Sequence, residues 1–316
     1  MQTKKHVTCS ALLVNYNDSA LIERALSAAL NQTVPFDEII VIDDASTDTS
    51  VEIINRLIAG FPQARLIRNP QNIGVMATCN IALQQVTGDF VFFLSSDDEY
   101  STRIIEWCRP IFTAYPDIGM IAGNVTIHNI DHDRMRHFTL PFPKHVGRYA
   151  AEDISSITKK RNFTFFGGGN VMRRDAILAA GSLRTDLKWN ADWFLYLMLG
   201  YRHPFVVVQE TFARIRQTDS QYSHASYYWQ TQRPVIESFI RLLHQDYPQE
   251  YPFFRANALL PTYDLPALFL LLRDPQLRPY LTRLLVWRLL TYKLLRMVGR
   301  LLPDSARSMI RQLLRV

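Results

Sequence analysis

Residues 38–44 read EIIVIDD, a short apolar run that stops at two carboxylates. The same arrangement occurs in residues 10–17, SALLVNYN, and in residues 89–98, DFVFFLSSDD. Each run has the length and apolar content of a buried strand. Residues 64–68 form a fourth run of this kind. We therefore predict four strands, three of which end in polar residues.

Helical patterns separate the four runs, over residues 19–30, 49–59 and 75–86. Strands that alternate with amphipathic helices form βαβ units, and such units build a mainly parallel sheet flanked by helices. Ligands of these sheets bind outside the carboxyl ends of the strands. Because the polar residues gather at those ends, we predict an α/β fold whose ligand site lies along that edge.

The pattern changes after Gly119. Residues 128–145 are rich in His, Asp and Pro and predict a loop with surface histidines, because their spacing fits no zinc site. A helix near residues 174–180, a helix that begins near Asp192 and a strand at residues 205–208 follow. Further on, the pattern is helical.

Two domains follow from this change of pattern. We predict an α/β domain over residues 1–225 and a helical C-terminal region over residues 226–316. Ten Lys or Arg and two Asp lie between Arg273 and the C-terminus, a net +8, so the +6 of the whole chain leaves −2 for residues 1–272. A mildly acidic body with a basic tail argues against nucleic acid as a partner.

Cysteine content and apolar run length bear on location. The three cysteines lack metal-ligand spacing and predict free thiols in a reducing compartment. The apolar stretch at residues 9–14 is too short for the core of a signal peptide, and no run approaches the roughly 20 residues that span a bilayer. We expect a cytoplasmic location.

Asp97 and Asp98 follow a predicted strand directly. Adjacent carboxylates repel each other unless water, hydrogen bonds or a cation compensates their charge. Mg²⁺ and Mn²⁺ take one or two carboxylates and complete their shell with phosphate oxygens and water. The pair therefore predicts a divalent-cation site, and the alternative is a solvated turn or a helix N-cap formed by Asp98 or Ser101.

Residues 43–48, DDASTD, follow another predicted strand. A carboxylate in this place can accept a hydrogen bond from a nucleobase imide or a ribose hydroxyl, as acidic residues do in other α/β nucleotide sites. The alternative is a cap for the next helix, formed by Thr47 or Asp48.

Four motifs occur together in the first hundred residues. They are VNYN at 14–17, IDDASTD at 42–48, NIG at 72–74 with Asn80 further on, and GD at 88–89 leading into SDD at 96–98. In this order and spacing they resemble the inverting glycosyltransferase family 2, which has the GT-A fold. The resemblance covers residues 7 to about 216.

The resemblance implies a GT-A type nucleotide-sugar transferase domain, with a mixed, mainly parallel sheet flanked by helices, plus a C-terminal α-helical extension. It also implies transfer of a sugar from a nucleoside-diphosphate sugar to a saccharide or lipid-linked acceptor, with inversion and metal assistance. Cell-surface polysaccharide synthesis is the process in which we expect this reaction.

Residue by residue, the resemblance implies a nucleotide site formed by Val14, Tyr16, Asp44, Asn72, Gly74 and Asp97. The backbone at Val14 and the Tyr16 ring would border the base, Asp44 would contact it, and Asp97 would face the ribose or an outer metal shell. Asp98 would ligate the divalent cation, Mn²⁺ or Mg²⁺. Many members have a further Asp where this chain has Ser95, which implies a sparer ligand set.

An inverting transfer also needs a base that deprotonates the acceptor hydroxyl. The resemblance points to Asp192 within WNADWF, residues 189–194, where an acidic residue opens a helix. The family pattern often reads Glu-Asp here, and this chain has Ala191-Asp192. The alternative for Asp192 is an ordinary helix N-cap.

Four further residues complete the predicted site. Gly168 and Gly169 resemble the acceptor-side turn of the family, where backbone approaches the sugar closely. Trp193 is an aromatic residue that could stack on a sugar face. Arg216, with Arg214, follows a probable strand and could clamp the diphosphate, although a solvated surface position is equally consistent with the sequence.

The C-terminal tail is basic and amphipathic over residues 288–302, and residues 306–314 repeat the pattern after Pro303. Such a helix suits an anionic membrane surface, which would place the protein peripherally on the inner face of the membrane. The alternative is a helix that packs its apolar face on the α/β domain.

Two other functions compete with transfer. A sugar nucleotidyltransferase would carry a Gly-rich, basic phosphate loop after the first strand, where this chain has Asn15 to Asp18. A catalytically degenerate domain that serves as a membrane-associated assembly module is the second, and Ser95 and Ala191 are its basis.

Overall fold

The computed structural model describes residues 6–218 and 228–291. These residues form two compact units. The first takes residues 6–150, 165–185 and 191–218, and the second takes residues 151–164, 186–190 and 228–291. The domain boundary expected near residue 225 stays a prediction.

The first unit is built on a ten-stranded sheet. Its strands are β1 Cys9–Asn15, β2 Glu38–Asp43, β3 Ala64–Arg68, β4 Phe90–Ser95, β5 Glu99–Tyr100, β6 Met120–Asn129, β7 Arg134–Phe138, β8 Val146–Tyr149, β9 Asn170–Arg173 and β10 Phe205–Gln217. The strand order is β3-β2-β1-β4-β9-β6-β10-β5, with β7 beside β6 and β8 beside β10.

The four strands predicted from the sequence form the parallel half of this sheet. β1 pairs in parallel with both β2 and β4, and β2 pairs in parallel with β3. The other long pairing, β6 with β10, is also parallel, whereas β5, β7, β8 and β9 form short antiparallel pairs. The prediction of a mixed, mainly parallel sheet flanked by helices is confirmed.

The helices of the first unit are α1 Ile22–Leu30, α2 Ser50–Ile58, α3 Val75–Gln85, α4 Ile104–Ala114, α6 Arg174–Ala179 and α7 Ala191–Arg202. Every residue of β1 is buried, as expected for a strand that helices cover on both faces. The Phe90 ring on β4 stacks on the Phe112 ring of α4, with 4.3 Å between centroids. This core holds the carboxyl ends of the strands in fixed positions.

Residues 128–145 differ from the predicted loop. β6 continues to Asn129, and the chain turns back through Asp133, which has a φ of 44°, into the antiparallel strand β7. The prediction of a loop was therefore wrong for residues 134–138, which form β7. Four of the five β7 side chains are exposed, which explains why the strand was not predicted. A solvated hairpin needs no apolar alternation, so its sequence gave no strand signal.

The second unit is helical. It contains α5 Ala151–Thr158, α8 Trp229–Gln245, α9 Tyr251–Ala256 and α10 Leu265–Arg273, together with a helical segment at residues 283–291. The Phe239 ring packs edge-on against Phe254 and Tyr280 in its core. The buried Arg288 side chain donates to the backbone oxygens of Asn257 and Ala258. The predicted C-terminal helical extension is confirmed.

The basic tail extends past the described part of the chain. Residues 292–302 and 306–314 lie outside it, so the predicted membrane-binding helices stay predictions. Among the described residues, none of the helices has the length and apolar character required to cross a membrane.

Candidate functional site

Three strand ends place the predicted nucleotide and metal residues at one edge of the sheet. In the parallel register Asn15 is opposite Asp43, and Val14 is opposite Ser95. The residues that follow these strands therefore emerge side by side. Tyr16 is 46% exposed there, which leaves its ring available to a ligand.

The buried Asp43 carboxylate connects the end of β1 with the turn after β2 at this edge of the sheet. It accepts hydrogen bonds from the Asn15 amide at 2.8 Å and from the Ser46 backbone N–H at 3.0 Å. Arg68 on β3 lies 3.6 Å from the same carboxylate. Since Asp43 is fully buried, its role is structural: it ties the end of β1 to the turn after β2.

Asp44 holds the loop that precedes α3. Its carboxylate accepts from the Asn69 amide at 2.8 Å and from the backbone N–H groups of Ile73 and Gly74 at 3.1 and 2.9 Å. Burial by itself would raise the pKa of Asp44, but these hydrogen bonds outweigh it and leave the pKa below its usual value. Asp44 is 2% exposed. Its contact with the nucleobase stays a prediction.

The same loop carries the other two predicted nucleotide residues. The Asn72 side-chain oxygen accepts the Gly74 N–H at 3.1 Å. Gly74 has a φ of +87°, a conformation that residues with a side chain adopt at a cost, and it immediately precedes the first residue of α3. The structure thus brings Asn72 and Gly74 next to Asp44, and their place beside a nucleotide stays a prediction.

Asp98 lies in a tightly defined environment. It is 6% exposed, and one of its oxygens accepts the Arg216 backbone N–H at 2.8 Å. The other oxygen is 3.4 Å from the Tyr100 hydroxyl. Burial, with a contribution from the Asp97 charge, raises the pKa of Asp98 to about 8. A carboxylate in this state gains most from a nearby positive charge.

The donor set around Asp98 fits a cation that is held mainly by a diphosphate. No group of three or more His, Cys, Asp or Glu side chains with metal-ligand geometry occurs in residues 6–218 and 228–291. Mg²⁺ and Mn²⁺ do not need such a cage, because one or two carboxylates plus phosphate oxygens and water suffice. Asp98 can supply one carboxylate. Nearby, Asp18 accepts a hydrogen bond from the Ser96 hydroxyl.

Two arginines of the site meet different partners. Arg216 binds Asp98 through its backbone N–H. Arg214 contacts Glu99 at 3.1 Å, and Arg24 of α1 contacts the other oxygen of Glu99 at 2.7 Å. The predicted diphosphate clamp by the Arg216 side chain stays a prediction.

Asp192 is the second residue of α7 and is partly buried. Its carboxylate accepts the Trp193 N–H at 2.7 Å. Burial raises the pKa of Asp192 to about 6. The neighbouring thiol of Cys79 on α3 is buried, and its pKa rises to about 12 through burial and through the charges of Asp192 and Asp44. The Cys79 thiol is therefore close enough to Asp192 and to Asp44 for the charge of each carboxylate to raise its pKa.

The Gly167–Gly169 turn lies between Asp192 and the surroundings of Asp98. A β-carbon on Gly167 would be 3.2 Å from the Asp192 Oδ2 atom. A β-carbon on Gly168, whose φ is +69°, would be 3.3 Å from the Tyr100 ring, and one on Gly169 would be 3.1 Å from the Gly123 carbonyl oxygen. Glycine keeps all three approaches open.

Two residues that shape this site, Tyr100 and Asn69, were not predicted from the sequence. Tyr100 accepts the Ser95 N–H at 2.7 Å while its hydroxyl faces Asp98, and Asn69 holds Asp44. The only available signal for Tyr100 was its position two residues after Asp98, in the short strand β5 that follows the turn. Asn69 had none, because its partner is 25 residues away.

Comparison with known proteins identifies related chains. A model of the family described as "Glycosyl transferase family 2" matches residues 10–179. An uncharacterized glycosyltransferase of Haemophilus influenzae is 39% identical over 89 residues, which are 28% of this chain and 36% of that protein. A chondroitin synthase of Pasteurella multocida is 36% identical over 97 residues, 31% of this chain and 10% of that protein. The matches thus span about a third or less of these relatives.

Solved structures share the fold. The crystal structure of S. aureus TarS residues 1–349 in complex with UDP-GlcNAc has a TM-score of 0.57 and 14% sequence identity, and the match covers 80% of this chain and 81% of that one. A mannosyltransferase from Pyrobaculum calidifontis, solved with GDP-Man and Mn²⁺, has a TM-score of 0.52 and 16% identity, and the match covers 96% of this chain and 78% of that one. At these identities the likeness establishes the fold alone.

Proposed function

The chain belongs to glycosyl transferase family 2, and on that premise we propose that it is a hexosyltransferase-like enzyme. It transfers a sugar from a nucleoside-diphosphate sugar to a saccharide or lipid-linked acceptor, with inversion at the anomeric carbon. The observation that carries the proposal is the sequence of neighbours Asp192, the glycine turn, Tyr100 and Asp98 along one edge of the first unit.

Asp192 acts as the base. In its ionised form it takes the proton from the acceptor hydroxyl while that oxygen forms a bond to the anomeric carbon. The bond between the anomeric carbon and the diphosphate oxygen breaks, and its electron pair leaves with the nucleoside diphosphate. A pKa near 6 suits a base that works close to neutral pH, because it is ionised there and still accepts a proton readily.

The donor lies along the strand ends. Val14, Tyr16 and the loop of Asn72 and Gly74 border the nucleotide, and Asp97 lies towards the ribose. Asp98 is the residue that would hold a divalent cation, Mn²⁺ or Mg²⁺, which when bound neutralises the charge of the departing diphosphate. Gly168, Gly169 and Trp193 form the acceptor side.

We also propose a setting for the reaction. The chondroitin synthase similarity supports an acceptor that belongs to a cell-surface polysaccharide. We expect the protein in the cytoplasm, with the basic tail on the inner face of the membrane. Nucleic acid is not among the proposed partners.

A thermal-shift screen of UDP-, GDP- and dTDP-sugars, with and without Mn²⁺, tests the donor side. A ligand that binds only the folded state raises the melting temperature, by mass action. We expect one nucleotide class to give a shift that grows with Mn²⁺, and we expect Asp98→Asn to remove the Mn²⁺-dependent part. No shift with any donor would contradict the proposal.

Release of nucleoside diphosphate from the bound donor tests catalysis. Wild-type protein should release it, and Asp192→Asn should bind the donor equally well and release it at least about a hundredfold more slowly. Equal release by both proteins would favour the degenerate assembly module. Conversion of the donor and added pyrophosphate into nucleoside triphosphate and sugar 1-phosphate would favour a nucleotidyltransferase.

A further inference from the structure

A groove on the second unit lies between α8 on one side and, on the other, α10 with the residues that follow it, 274–277. It has two adjoining lobes, of about 970 and 420 Å³. Arg233, Asp274 and Gln276 line both lobes, so the lobes form one continuous depression. We call it the α8–α10 groove. Its residues all belong to the second unit.

One lobe combines aromatic rings with a guanidinium group. Trp229 and Phe269 line it, and Phe269 is 51% exposed. Flat apolar rings at the surface match the C–H faces of pyranose sugars, which are apolar on the face and polar at the edge. Arg273 lies in the same lobe and is exposed.

The positive charge of the groove is only partly compensated. Arg233 pairs with Glu237 at 2.8 Å, and Asp274 accepts the Gln276 backbone N–H. Within residues 6–218 and 228–291, neither Arg241 in the second lobe nor Arg273 in the first has an ion-pair or hydrogen-bond partner. Two guanidinium groups that have no partner in the described part of the chain therefore line the groove, and guanidinium binds carboxylates through two parallel hydrogen bonds.

The length of the groove indicates a polymer. The lining residues of α8 run from Trp229 to Gln245, which at 1.5 Å per residue is about 24 Å. This is long enough for several linked sugars. We propose that the α8–α10 groove binds an acidic polysaccharide that contains uronic acid, with its rings on the aromatic residues and its carboxylates on Arg241 and Arg273.

The chemistry of the groove distinguishes this occupant from other anionic polymers. A poly(glycerol phosphate) chain carries the charge for the two arginines but has no sugar ring in its backbone for Trp229 and Phe269. A neutral glucan has the rings and lacks the charge. Of these polymers, the acidic polysaccharide is the one that has both features and therefore uses every part of the groove.

This inference rests on the proposed function, because it assigns the polymer to the acceptor of the transfer. A polymer that is held by one segment keeps its other units at a raised local concentration. We therefore expect the groove to lower the KM only for acceptors long enough to extend from it to the candidate site, and to leave short acceptors unaffected. Donor binding does not depend on it.

Binding of fluorescein-labelled unsulfated chondroitin oligosaccharides to the full chain, followed by fluorescence polarisation, tests the inference. We expect Arg241→Glu with Arg273→Glu to raise the dissociation constant about tenfold or more. Phe269→Ala keeps the charge and should raise it severalfold. The matched control is Arg134→Glu with Arg283→Glu, an equal change of charge at two exposed arginines outside the groove.

Each outcome decides the matter. No binding by wild type, or equal weakening by the control pair, would overturn the inference, since the latter result would mean general charge attraction. Tighter binding of poly(glycerol phosphate) or of neutral dextran would also overturn it. The donor-dependent thermal shift, measured on the same proteins, reports the proposed function separately: if it is absent, that proposal fails whatever the groove binds.

Discussion

Two carboxylates of the site, Asp98 and Asp192, share a raised pKa and differ in their surroundings. The Asp98 carboxylate is buried, accepts hydrogen bonds from a backbone N–H and a tyrosine hydroxyl, and is close to the charge of Asp97. Asp192 has burial as the main cause of its pKa of about 6 and accepts one N–H from Trp193. Different environments give the same side chain different chemistry. The first suits a bound positive charge and the second suits proton transfer.

The pH dependence of transfer should report Asp192. A base must be ionised to act, so kcat should be half-maximal near pH 6, should fall about tenfold for each pH unit below that, and should level off above it. The measurement is nucleoside-diphosphate release across pH 4.5 to 8 with saturating donor and saturating Mn²⁺, whose charge favours the ionised form of Asp98. A profile that is flat through pH 6 would assign the base elsewhere.

Asp192→Asn should lose activity without losing stability. The folded-state pKa lies above the usual Asp value of 3.8, so the fold favours the neutral form, and ionisation lowers stability as the pH rises from about 4 through 6. Asn carries no charge and removes this cost. We expect an equal or higher melting temperature than wild type at pH 8. A lower one would mean that the carboxylate itself stabilises the fold.

Gly167 should be sensitive because of its closeness to Asp192. A β-carbon there would be 3.2 Å from the carboxylate oxygen, so Gly167→Ala must displace the base by a few tenths of an ångström. Misplacement of a catalytic group lowers kcat, and we expect a severalfold loss with donor binding unchanged. Gly60→Ala is the control, because no atom lies within 4 Å of its β-carbon. Equal kcat in both variants would contradict this geometry.

At the scale of elements, the loop between β3 and α3 is held mainly by hydrogen bonds that involve the side chains of Asn69 and Asp44. Asn69 donates to Asp44 and also to the Thr78 hydroxyl at 3.0 Å, and Asp44 binds the N–H groups of Ile73 and Gly74. Because Asp44 holds Gly74, which immediately precedes α3, these hydrogen bonds fix the position of the first turn of α3. Because the loop also carries Asn72, loss of one hydrogen bond should affect both stability and donor binding.

Asn69→Ala should lower the free energy of unfolding by about 1.5–3 kcal/mol, since a buried hydrogen bond to a charged group is lost. It should also weaken donor binding, because the loop at Gly74 is no longer fixed by a fully bonded Asp44. Urea denaturation and calorimetric titration measure the two effects. Asn31→Ala removes a comparable amide from the exposed end of α1 and should change neither by much. Intact donor affinity in Asn69→Ala would separate this loop from the nucleotide site.

At the scale of the whole molecule, the two compact units do not correspond to two consecutive halves of the sequence. Residues 151–164 and 186–190 belong with the C-terminal helices. Asn257 bonds the Thr158 hydroxyl at 2.9 Å and the Ser155 hydroxyl at 3.0 Å, so α5 is tied to the end of α9. The second unit therefore draws its stability from three separate stretches of sequence.

The basic tail should bind anionic membranes. The structure sets where to cut the chain: Tyr280, Leu285, Arg288 and Leu289 are buried, so removal of residues 280–316 would expose the core of the second unit. Removal of residues 292–316 spares them. We expect this shorter chain to stop sedimenting with anionic liposomes while it keeps the donor-dependent thermal shift. Unchanged sedimentation would assign membrane binding to another surface.

Sequence alone determined the parallel half of the sheet and the edge at which the site lies. β1 to β4 are local apolar runs, their crossover helices have a clear period, and parallel connection brings their carboxyl ends to one edge. The positions of Asp44, Asp97 and Asp98 at that edge follow from such runs, whereas the roles proposed for them come from the family resemblance. Family resemblance added Asp192, for which the local signal is only that of a helix start.

Tertiary structure alone decided the contacts around these residues. Asp98 meets a backbone N–H that lies 118 residues further along the chain, and the glycine turn reaches both Asp192 and Tyr100. No periodic pattern of apolar residues in the sequence indicates the β6–β7 hairpin or the α8–α10 groove. The physical reason is common to all four. Periodicity reports whether each residue faces a core, whereas pairings across long sequence separations depend on how the elements pack.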